Sequence, residues 1–148
     1  MKKKILLVDD DPAVREMLTR VLTEENYIVI PAANGQEALD LAATAEPNLV
    51  LLDLNLPVKN GWDTFERLTA ERPILPVVII TARPNQLFTA LGAGAGALME
   101  KPLDFPTLLQ TIRALLDEPV ELRLARLSGE RADFHYAPSD QSDGKSTP

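Results

Sequence analysis

A short apolar run that ends abruptly in a carboxylate constrains this chain more than any other stretch. Residues Leu49–Leu52 are all apolar, and Asp53 follows them directly. A buried strand of a parallel sheet has this composition because helices cover both of its faces. Pro57 and the Asn60-Gly61 pair then predict a turning loop rather than a continued strand. Asp53 is therefore predicted at the carboxyl end of a buried strand, where open α/β sheets bind their ligands.

Charge and cysteine content exclude several classes of function. The chain has 148 residues and a formal net charge of −7, which disfavours nucleic acid and anionic membranes as direct partners. Such a chain attracts small divalent cations instead. It contains no cysteine, so disulfides, thiol catalysis and thiolate metal sites are excluded, and its composition fits a reducing cytoplasm.

The amino terminus does not have the pattern of a secretory signal. Three lysines precede the apolar run Ile5–Val8, which ends at Asp9 and is much shorter than a signal-peptide core. No stretch approaches the roughly 18 apolar residues of a membrane span. We therefore expect a cytoplasmic protein with no membrane partner.

Strand-like and helix-like segments alternate along the chain. The strand candidates are Ile5–Val8, Tyr27–Ile30, Leu49–Leu52, Pro76–Ile80 and Leu98-Met99. Each is followed by a segment with helical spacing of apolar residues, and Asp11-Pro12 and Asp104 have the residue types that start helices. This alternation predicts an α/β fold with a parallel, doubly wound sheet, right-handed crossovers and helices on both faces.

Polar residues with related chemistry end four of these strands. Asp9 and Asp10 end the first, Asp53 the third, Thr81 the fourth and Lys101 the fifth. If the first and third strands are neighbours, the three carboxylates repel each other unless a cation such as Mg²⁺ neutralises them. A lysine and a hydroxyl suit the oxygens of a bound phosphoryl group. Each residue alone has an ordinary structural explanation, such as a helix cap or a solvated lysine, and only the joint pattern is specific.

Five motifs together resemble the receiver domains of bacterial two-component response regulators. The motifs are Ile5-Leu6-Leu7-Val8-Asp9-Asp10-Asp11, Leu51-Leu52-Asp53-Leu54-Asn55-Leu56-Pro57, Asn60-Gly61, Ile79-Ile80-Thr81-Ala82 and Lys101-Pro102. The resemblance covers about residues 3–117. It implies a flavodoxin-like fold, in which a five-stranded parallel sheet has the strand order 2-1-3-4-5.

The resemblance also implies a function and roles for individual residues. Asp53 would accept a phosphoryl group from a phosphohistidine, Lys101 would pair with the phosphoryl oxygens, and Thr81 would hydrogen-bond one of them. The implied Mg²⁺ ligands are Asp9, Asp10, Asp53 and the backbone carbonyl of Asn55. The protein would be a phosphoacceptor that assists its own phosphotransfer and dephosphorylation, and not an enzyme in the usual sense.

The resemblance implies the partners as well. The phosphoryl donor would be a sensor histidine kinase or a histidine phosphotransfer protein, and a downstream protein target would recognise the modified form by protein–protein contact. We expect a stand-alone receiver that is a monomer or a weak dimer. The sequence also allows a receiver excised from a longer protein.

Two features depart from the family pattern. Leu98 occupies a position, three residues before Lys101, where family members usually have Tyr or Phe. The stretch from Thr81 to Lys101 is also shorter than usual, which predicts a short fourth helix over Pro84–Leu91. Both departures lie where members of the family usually contact their targets.

The segment 118–148 is a C-terminal extension beyond the receiver domain. We predict a short helix over 119–128, followed by a disordered tail that includes a solvated His135. Three apolar residues at helical spacing favour docking of this helix on the domain over pairing with a second copy: Val120, Leu124 and Leu127.

Two other functions remain open from the sequence. A Mg²⁺-dependent phosphohydrolase would also place aspartates at strand ends, but it usually needs a second aspartate two residues after the nucleophile. That position is Asn55, which cannot transfer a proton as a carboxylate would. A receiver-like binding module that acts without phosphorylation is the other alternative, and Leu98 keeps it open.

Overall fold

A six-stranded parallel sheet forms the centre of the molecule. The computed structural model describes residues 2–56, 60–128 and 134–139, without the side chain of Phe88. The strands are β1 (Lys4–Val8), β2 (Ile28–Ala32), β3 (Leu49–Asp53), β4 (Val77–Thr81), β5 (Ala97–Glu100) and β6 (His135–Ala137). The helices are α1 (Pro12–Glu24), α2 (Gly35–Ala45), α3 (Gly61–Glu71), α4 (Leu87–Ala93), α5 (Phe105–Asp117) and α6 (Val120–Leu127).

The strand order is β2-β1-β3-β4-β5-β6, with every neighbouring pair parallel. The predicted order of the first five strands and the doubly wound α/β fold are confirmed. The predicted number of strands is too low by one, since β6 pairs with the outer edge of β5. Its three residues lie in the C-terminal extension and form a run too short to mark a strand.

Two apolar layers hold the helices on opposite faces of the sheet. Ile5 and Leu7 pack with α1 and α5 on one face, whereas Leu6 and Val8 pack with α2, α3 and α4 on the other. Full burial of each such side chain stabilises the fold by roughly 1.5–3 kcal/mol. The continuous apolar composition of the strands therefore follows from their burial on both faces.

Helix starts agree well with the sequence. The side chain of Asp11 accepts a hydrogen bond from the Ala13 backbone N–H at 2.9 Å at the start of α1. The side chain of Asp104 accepts one from the Thr107 N–H at 3.2 Å at the start of α5. Both predicted N-caps are confirmed, and each satisfies a backbone donor that the first helical turn leaves unpaired.

Some boundaries differ from the predicted ones. The second strand runs to Ala32 and includes Pro31, which is tolerated because β2 is an edge strand. Helix α4 begins at Leu87 and not at Pro84, since Asn85 has a φ of 61° that ordinary helices do not allow. The predicted turn at Pro57 lies outside the described residues.

Helix α6 packs on the domain, but of the three apolar residues expected to face it only Leu127 does, beside Gly94. Leu124 is 46% exposed, and Val120 is exposed as well. Arg126 is instead buried against Glu118, with its Nη1 at 2.8 Å from the carboxylate, and Arg123 donates to the backbone oxygen of Leu115 at 2.9 Å. The docking face is therefore built mainly on guanidinium groups, whose long stems can be covered while their charges are paired.

His135 lies in β6 and is half-buried, so the prediction that it is solvated is wrong. Its backbone N–H donates to the Gly96 oxygen at 3.2 Å, which ties the segment to the sheet. The rest of the predicted disordered tail lies mostly outside the described residues, at 129–133 and 140–148. Among the residues that are described, no helix has the length and apolar character required to cross a membrane.

The glycine at the start of α3 has no room for a side chain. A Cβ at Gly61 would lie 2.3 Å from the Leu54 Cα, whereas a Cβ at Gly92 in α4 would meet nothing within 4 Å. The Gly61 N–H also donates to the Leu54 oxygen at 3.0 Å, which fixes the close approach of the two backbones.

This contrast predicts opposite effects for two equivalent substitutions. Gly61→Ala should lower the free energy of unfolding by about 1–3 kcal/mol, because two backbones must separate to admit the methyl group. Gly92→Ala should leave it unchanged or raise it by up to about 1 kcal/mol, because alanine favours a helix. Urea denaturation followed by circular dichroism measures both, and equal effects of the two substitutions would contradict the packing described.

Candidate functional site

The pairing of β1 with β3 brings two aspartates to one edge of the sheet. Val8 is the register partner of Leu52, so the residues that follow them, Asp9 and Asp53, emerge side by side. The carboxylate oxygens of Asp9, Asp10 and Asp53 lie within 4.8 Å of one another. The three acids that the sequence singled out are therefore brought together.

Asp53 is held by one donor on each carboxylate oxygen. The residue is only 4% exposed. Its Oδ1 accepts the Asn55 backbone N–H at 3.0 Å, and its Oδ2 accepts the Lys101 Nζ at 3.0 Å. These contacts fix the orientation of a carboxylate that would be costly to bury without partners.

Asp9 is 2% exposed and shares Lys101 with Asp53. Its Oδ1 accepts the Asp11 N–H at 2.9 Å, and its Oδ2 lies 3.5 Å from the Lys101 Nζ. Burial raises the pKa of Asp9, and the charge of Asp53 adds to this effect, while the Asp11 N–H and Lys101 oppose it. Without a bound cation, the ionised form of Asp9 is therefore destabilised.

Lys101 supplies the positive charge of the site from the end of β5. Burial lowers the pKa of Lys101, but its hydrogen bond to Asp53 and the charges of Asp53 and Asp9 outweigh burial and raise it overall. The ammonium group therefore stays protonated across the physiological range. Its backbone N–H donates to the Thr81 oxygen at 2.9 Å, which anchors Lys101 to the end of β4.

An open cleft of about 720 Å³ exposes these groups to the exterior. Its lining residues come from four loops at the carboxyl edge: Asp9, Asp10, Asp11, Pro12, Asp53, Asn55, Ala82, Arg83, Pro84 and Lys101. The described lining carries more carboxylates than cationic side chains. This excess of negative charge, presented on oxygen ligands, matches the requirements of a hard divalent cation.

Thr81 is the one predicted site residue that does not line the cleft. It is 1% exposed at the end of β4, and its Oγ1 accepts the Arg83 N–H at 2.8 Å. Leu98 is fully buried in the apolar layer on the α4 side of the sheet. The structure therefore brings together Asp9, Asp10, Asp53, Asn55 and Lys101, with Thr81 behind the rim.

One side-chain hydrogen bond across the rim of the cleft could not be predicted from any pattern in the sequence. The indole Nε1 of Trp62 in α3 donates to the Gln86 Oε1 at 3.0 Å, and Gln86 is the residue before α4. This bond joins α3 to the loop that leads from Thr81 to α4. The partners are 24 residues apart in the chain, and neither belongs to a motif.

The sequence comparisons place residues 5–113 in the response regulator receiver domain family. The response regulator MprA of Mycolicibacterium vanbaalenii is 41% identical over 118 residues, which are 78% of this chain and 51% of MprA. The DNA-binding response regulator MtrA of Mycolicibacterium smegmatis is 39% identical over 128 residues, 82% of this chain and 56% of MtrA. The chain thus spans about half the length of these curated relatives.

Solved structures that resemble this fold are also receiver domains. A CheY-like receiver domain protein from Methanospirillum hungatei JF-1 matches with a TM-score of 0.76 and 33% identity, over 79% of this chain and 95% of that protein. The BeF3-activated N-terminal receiver domain of RstA from Klebsiella pneumoniae matches with a TM-score of 0.74 and 29% identity, over 78% of this chain and all (100%) of that domain. The chain belongs to the receiver domains of two-component response regulators, the phosphoacceptor modules of this signalling system.

Proposed function

We propose that Asp53 is the phosphoacceptor of this receiver and that a phosphohistidine on a sensor kinase or a histidine phosphotransfer protein is its donor. The observation that carries the proposal is the convergence of Asp53, Lys101 and the acidic pair Asp9 and Asp10 in one open cleft. Phosphoryl transfer depends on positioning and charge neutralisation, and these residues are suited to both.

The donor set fits Mg²⁺. Asp9, Asp10 and Asp53 each offer a carboxylate oxygen within 4.8 Å of the others. Asn55 lines the same cleft, and its backbone carbonyl is the fourth candidate ligand. When bound, Mg²⁺ would neutralise carboxylate and phosphoryl charge. It would also stabilise the ionised form of Asp9, whose pKa is raised by burial and by the charge of Asp53.

The protein's own residues account for the transfer step. The Asn55 N–H holds Asp53 Oδ1, so that Oδ2 faces the side of the site that carries Lys101. An Asp53 oxygen attacks the phosphorus, the P–N bond to the imidazole breaks, and the imidazole nitrogen keeps the bonding electron pair. Lys101 then exchanges its contact with Asp53 for one with a phosphoryl oxygen, and Thr81 turns its hydroxyl toward another.

The phosphoryl donor is itself a protein and needs a docking surface beside the cleft. An apolar groove of about 240 Å³ lies between α1 and the loop before α5, and Lys101 lines both this groove and the cleft. Met17 and Phe105 contribute apolar side chains to it. A helix that carries the phosphohistidine can cover this groove while its imidazole reaches Asp53.

Hydrolysis of the phosphoryl group belongs to the same site. Water in the cleft can attack the aspartyl phosphate, and we infer that the protein assists its own dephosphorylation with the same residues. Asn55 at the rim lacks the proton-transfer capacity of a carboxylate, which disfavours the phosphohydrolase alternative. The preserved lysine and acids disfavour a module that works without phosphorylation.

The cellular context of the proposal follows from charge and composition. We propose a cytoplasmic receiver, a monomer or weak dimer, that signals to a downstream protein. MtrA is a DNA-binding response regulator, but we do not propose DNA binding for this chain, whose net charge is −7. Within the proposal, residues 3–117 form the receiver and residues 118–148 its C-terminal extension.

Phosphorylation gives the direct test. After incubation with acetyl phosphate and Mg²⁺, intact-mass measurement should find one added phosphoryl group on the wild type and on Asp40→Asn, which alters an exposed acid of α2. Asp53→Asn should show none, and neither should the wild type in EDTA. A phosphoryl adduct on Asp53→Asn would assign the acceptor elsewhere and overturn the proposal.

Absence of an adduct on the wild type has two distinguishable meanings. If phosphate is released rapidly, the aspartyl phosphate is short-lived, and beryllofluoride should bind the wild type but not Asp53→Asn. If acetyl phosphate remains unconsumed and beryllofluoride does not bind, the chain acts without phosphorylation.

Magnesium should stabilise the fold through the acidic pair. At a free concentration of about 100 times its dissociation constant, Mg²⁺ adds about 2.7 kcal/mol to the free energy of unfolding, enough to raise the melting temperature by several degrees. Asp10→Asn should lose most of this shift, whereas Glu66→Gln, an exposed acid on α3, should keep it. Equal shifts in both variants would place the cation elsewhere.

The raised pKa of Asp9 makes a pH-dependent prediction in EDTA. The folded protein holds this proton more tightly than the unfolded chain, so the associated stability is lost as the pH rises through the raised folded-state pKa. Asp9→Asn should therefore melt above the wild type at pH 7, and the difference should shrink as the pH falls toward about 4. Melting curves at several pH values, with Asp40→Asn as control, measure it. A variant no more stable than the wild type at pH 7 would contradict the prediction.

A further inference from the structure

We propose that Arg15 positions Asp10 as a ligand of Mg²⁺ by holding the backbone oxygen of the preceding residue, Asp9. The inference rests on the proposed magnesium site and deepens it, because it adds a residue that touches neither the cation nor the phosphoryl group. Arg15 is half-buried in the first turn of α1, and its Nη1 donates to the Asp9 backbone oxygen at 2.7 Å. The side chain therefore reaches back from the helix, past Asp10, to the end of β1.

This hydrogen bond lies where the pairing of the sheet stops. The Asp9 N–H still donates to the Ala32 oxygen at 3.1 Å, but β2 ends at Ala32. The Asp9 oxygen lies beyond the last register pair of the two strands, Val8 with Ala32, and it accepts from Arg15 instead. A backbone oxygen needs a donor when the residue is buried. Arg15 thus takes the place of a strand neighbour at the point where the chain leaves the sheet.

Both peptide groups that flank Asp10 are held. A peptide group is planar, so a fixed Asp9 oxygen also fixes the direction from Asp9 to the Cα of Asp10. On the other side of Asp10, the Asp11 N–H donates to the Asp9 Oδ1 at 2.9 Å. The backbone of Asp10 is therefore defined by one hydrogen bond from Arg15 and by one to the side chain of Asp9.

The carboxylate of Asp10 depends on this backbone for its position. Asp10 is exposed at the cleft, and within the described part of the chain no hydrogen bond holds its carboxylate. The carboxylates of Asp9 and Asp53, in contrast, each accept a backbone N–H and contact Lys101. Mg²⁺ requires a nearly ideal octahedral arrangement of its oxygen ligands. The affinity of the site is therefore most sensitive to the placement of Asp10, its least restrained acid.

Neither helix stability nor ion pairing accounts for an arginine at this position. A cation in the first turn of a helix opposes the helix dipole. Among the residues that the structure describes, the ion pairs do not include Arg15. Its charge alone would repel Mg²⁺, so removal of the charge should tighten binding, whereas loss of the hydrogen bond to Asp9 should weaken it. Because the two effects have opposite signs, they can be separated by measurement.

Titration with Mg²⁺ alone gives the direct test. Isothermal titration calorimetry measures the dissociation constant of Mg²⁺ for the wild type, Arg15→Met, Arg15→Lys and Arg20→Met, with Asp10→Asn as the reference for a lost ligand. Arg15→Met keeps an unbranched stem but removes the donor and the charge. Arg20→Met removes the same charge from an exposed position of α1 and is the matched control.

Arg15→Met should bind Mg²⁺ about tenfold or more weakly than the wild type, as is typical when a residue that orients a metal ligand is lost. Arg15→Lys restores a charged donor on a flexible stem and should recover most of this loss. Arg20→Met should bind as tightly as the wild type or slightly more tightly. Unchanged or tighter binding by Arg15→Met overturns the proposal, and so does an Arg15→Lys variant that binds no better than Arg15→Met.

Phosphorylation by acetyl phosphate gives a second readout that a loss of stability alone would not change. In Arg15→Met, the Mg²⁺ concentration that gives half the maximal rate should rise by the same factor as the dissociation constant. The rate at saturating Mg²⁺ should equal that of the wild type, because Asp53 and Lys101 are unchanged. A lower rate at saturating Mg²⁺ with the same half-maximal concentration would assign Arg15 to the chemical step and overturn the positioning role.

Folding and the proposed function are checked separately. Circular dichroism at the temperature of the titration establishes that Arg15→Met is folded, and Arg15→Gln replaces it if it is not. If the wild type binds no Mg²⁺, or if Asp10→Asn binds it as tightly as the wild type, the proposed magnesium site itself fails. If the wild type binds Mg²⁺, Asp10→Asn does not, and Arg15→Met binds as the wild type does, the role of Arg15 alone fails.

Discussion

Repulsion among three carboxylates at one edge of a parallel sheet is the constraint on which the site depends. The pairing of β1 with β3 places Asp9 beside Asp53, and Asp10 follows in the same turn. Lys101 compensates only part of this charge, because one ammonium group serves both buried acids. The site therefore folds with an excess of negative charge that Lys101 does not neutralise. This excess favours binding of a divalent cation, which can in turn hold an anionic phosphoryl group.

The same lysine lies between the acidic cleft and the edge of β5 that β6 covers. Lys101 is fixed by its backbone to Thr81 on β4 and follows Glu100, the residue that receives Tyr136 from the C-terminal segment. β5 therefore has the cleft at its end and a covered edge along its side. Helix α6 contacts the carboxyl end of α5, where Arg123 donates to the Leu115 backbone oxygen at 2.9 Å.

Features encoded by local pattern could be predicted from the sequence, and features made by distant contacts could not. The buried strands and the caps at Asp11 and Asp104 follow from apolar runs and residue types. The meeting of Asp9 with Asp53 was predicted only through the strand order that the family resemblance implies. The sixth strand could not be predicted, because it is short and depends on an edge already formed by β5. The docking face of α6 was mostly missed because Arg123 and Arg126 face the domain, and Leu127 is the one predicted apolar residue that lies against it. Thr81 ends β4 as predicted, but its hydroxyl accepts the Arg83 N–H and lies behind the rim.

The bond between Trp62 and Gln86 gives the protein a natural optical probe. Trp62 is the single tryptophan of the chain, and its indole N–H is bonded to the residue that begins the approach to α4. Indole emission responds to the polarity and hydrogen bonding around the ring, and this ring also contacts Phe65 edge-on, with centroids 5.7 Å apart. Any rearrangement of the loop after Thr81 that moves Gln86 changes the surroundings of one defined fluorophore. The conformation of that loop can therefore be followed in the unlabelled protein, in real time, from its intrinsic emission alone.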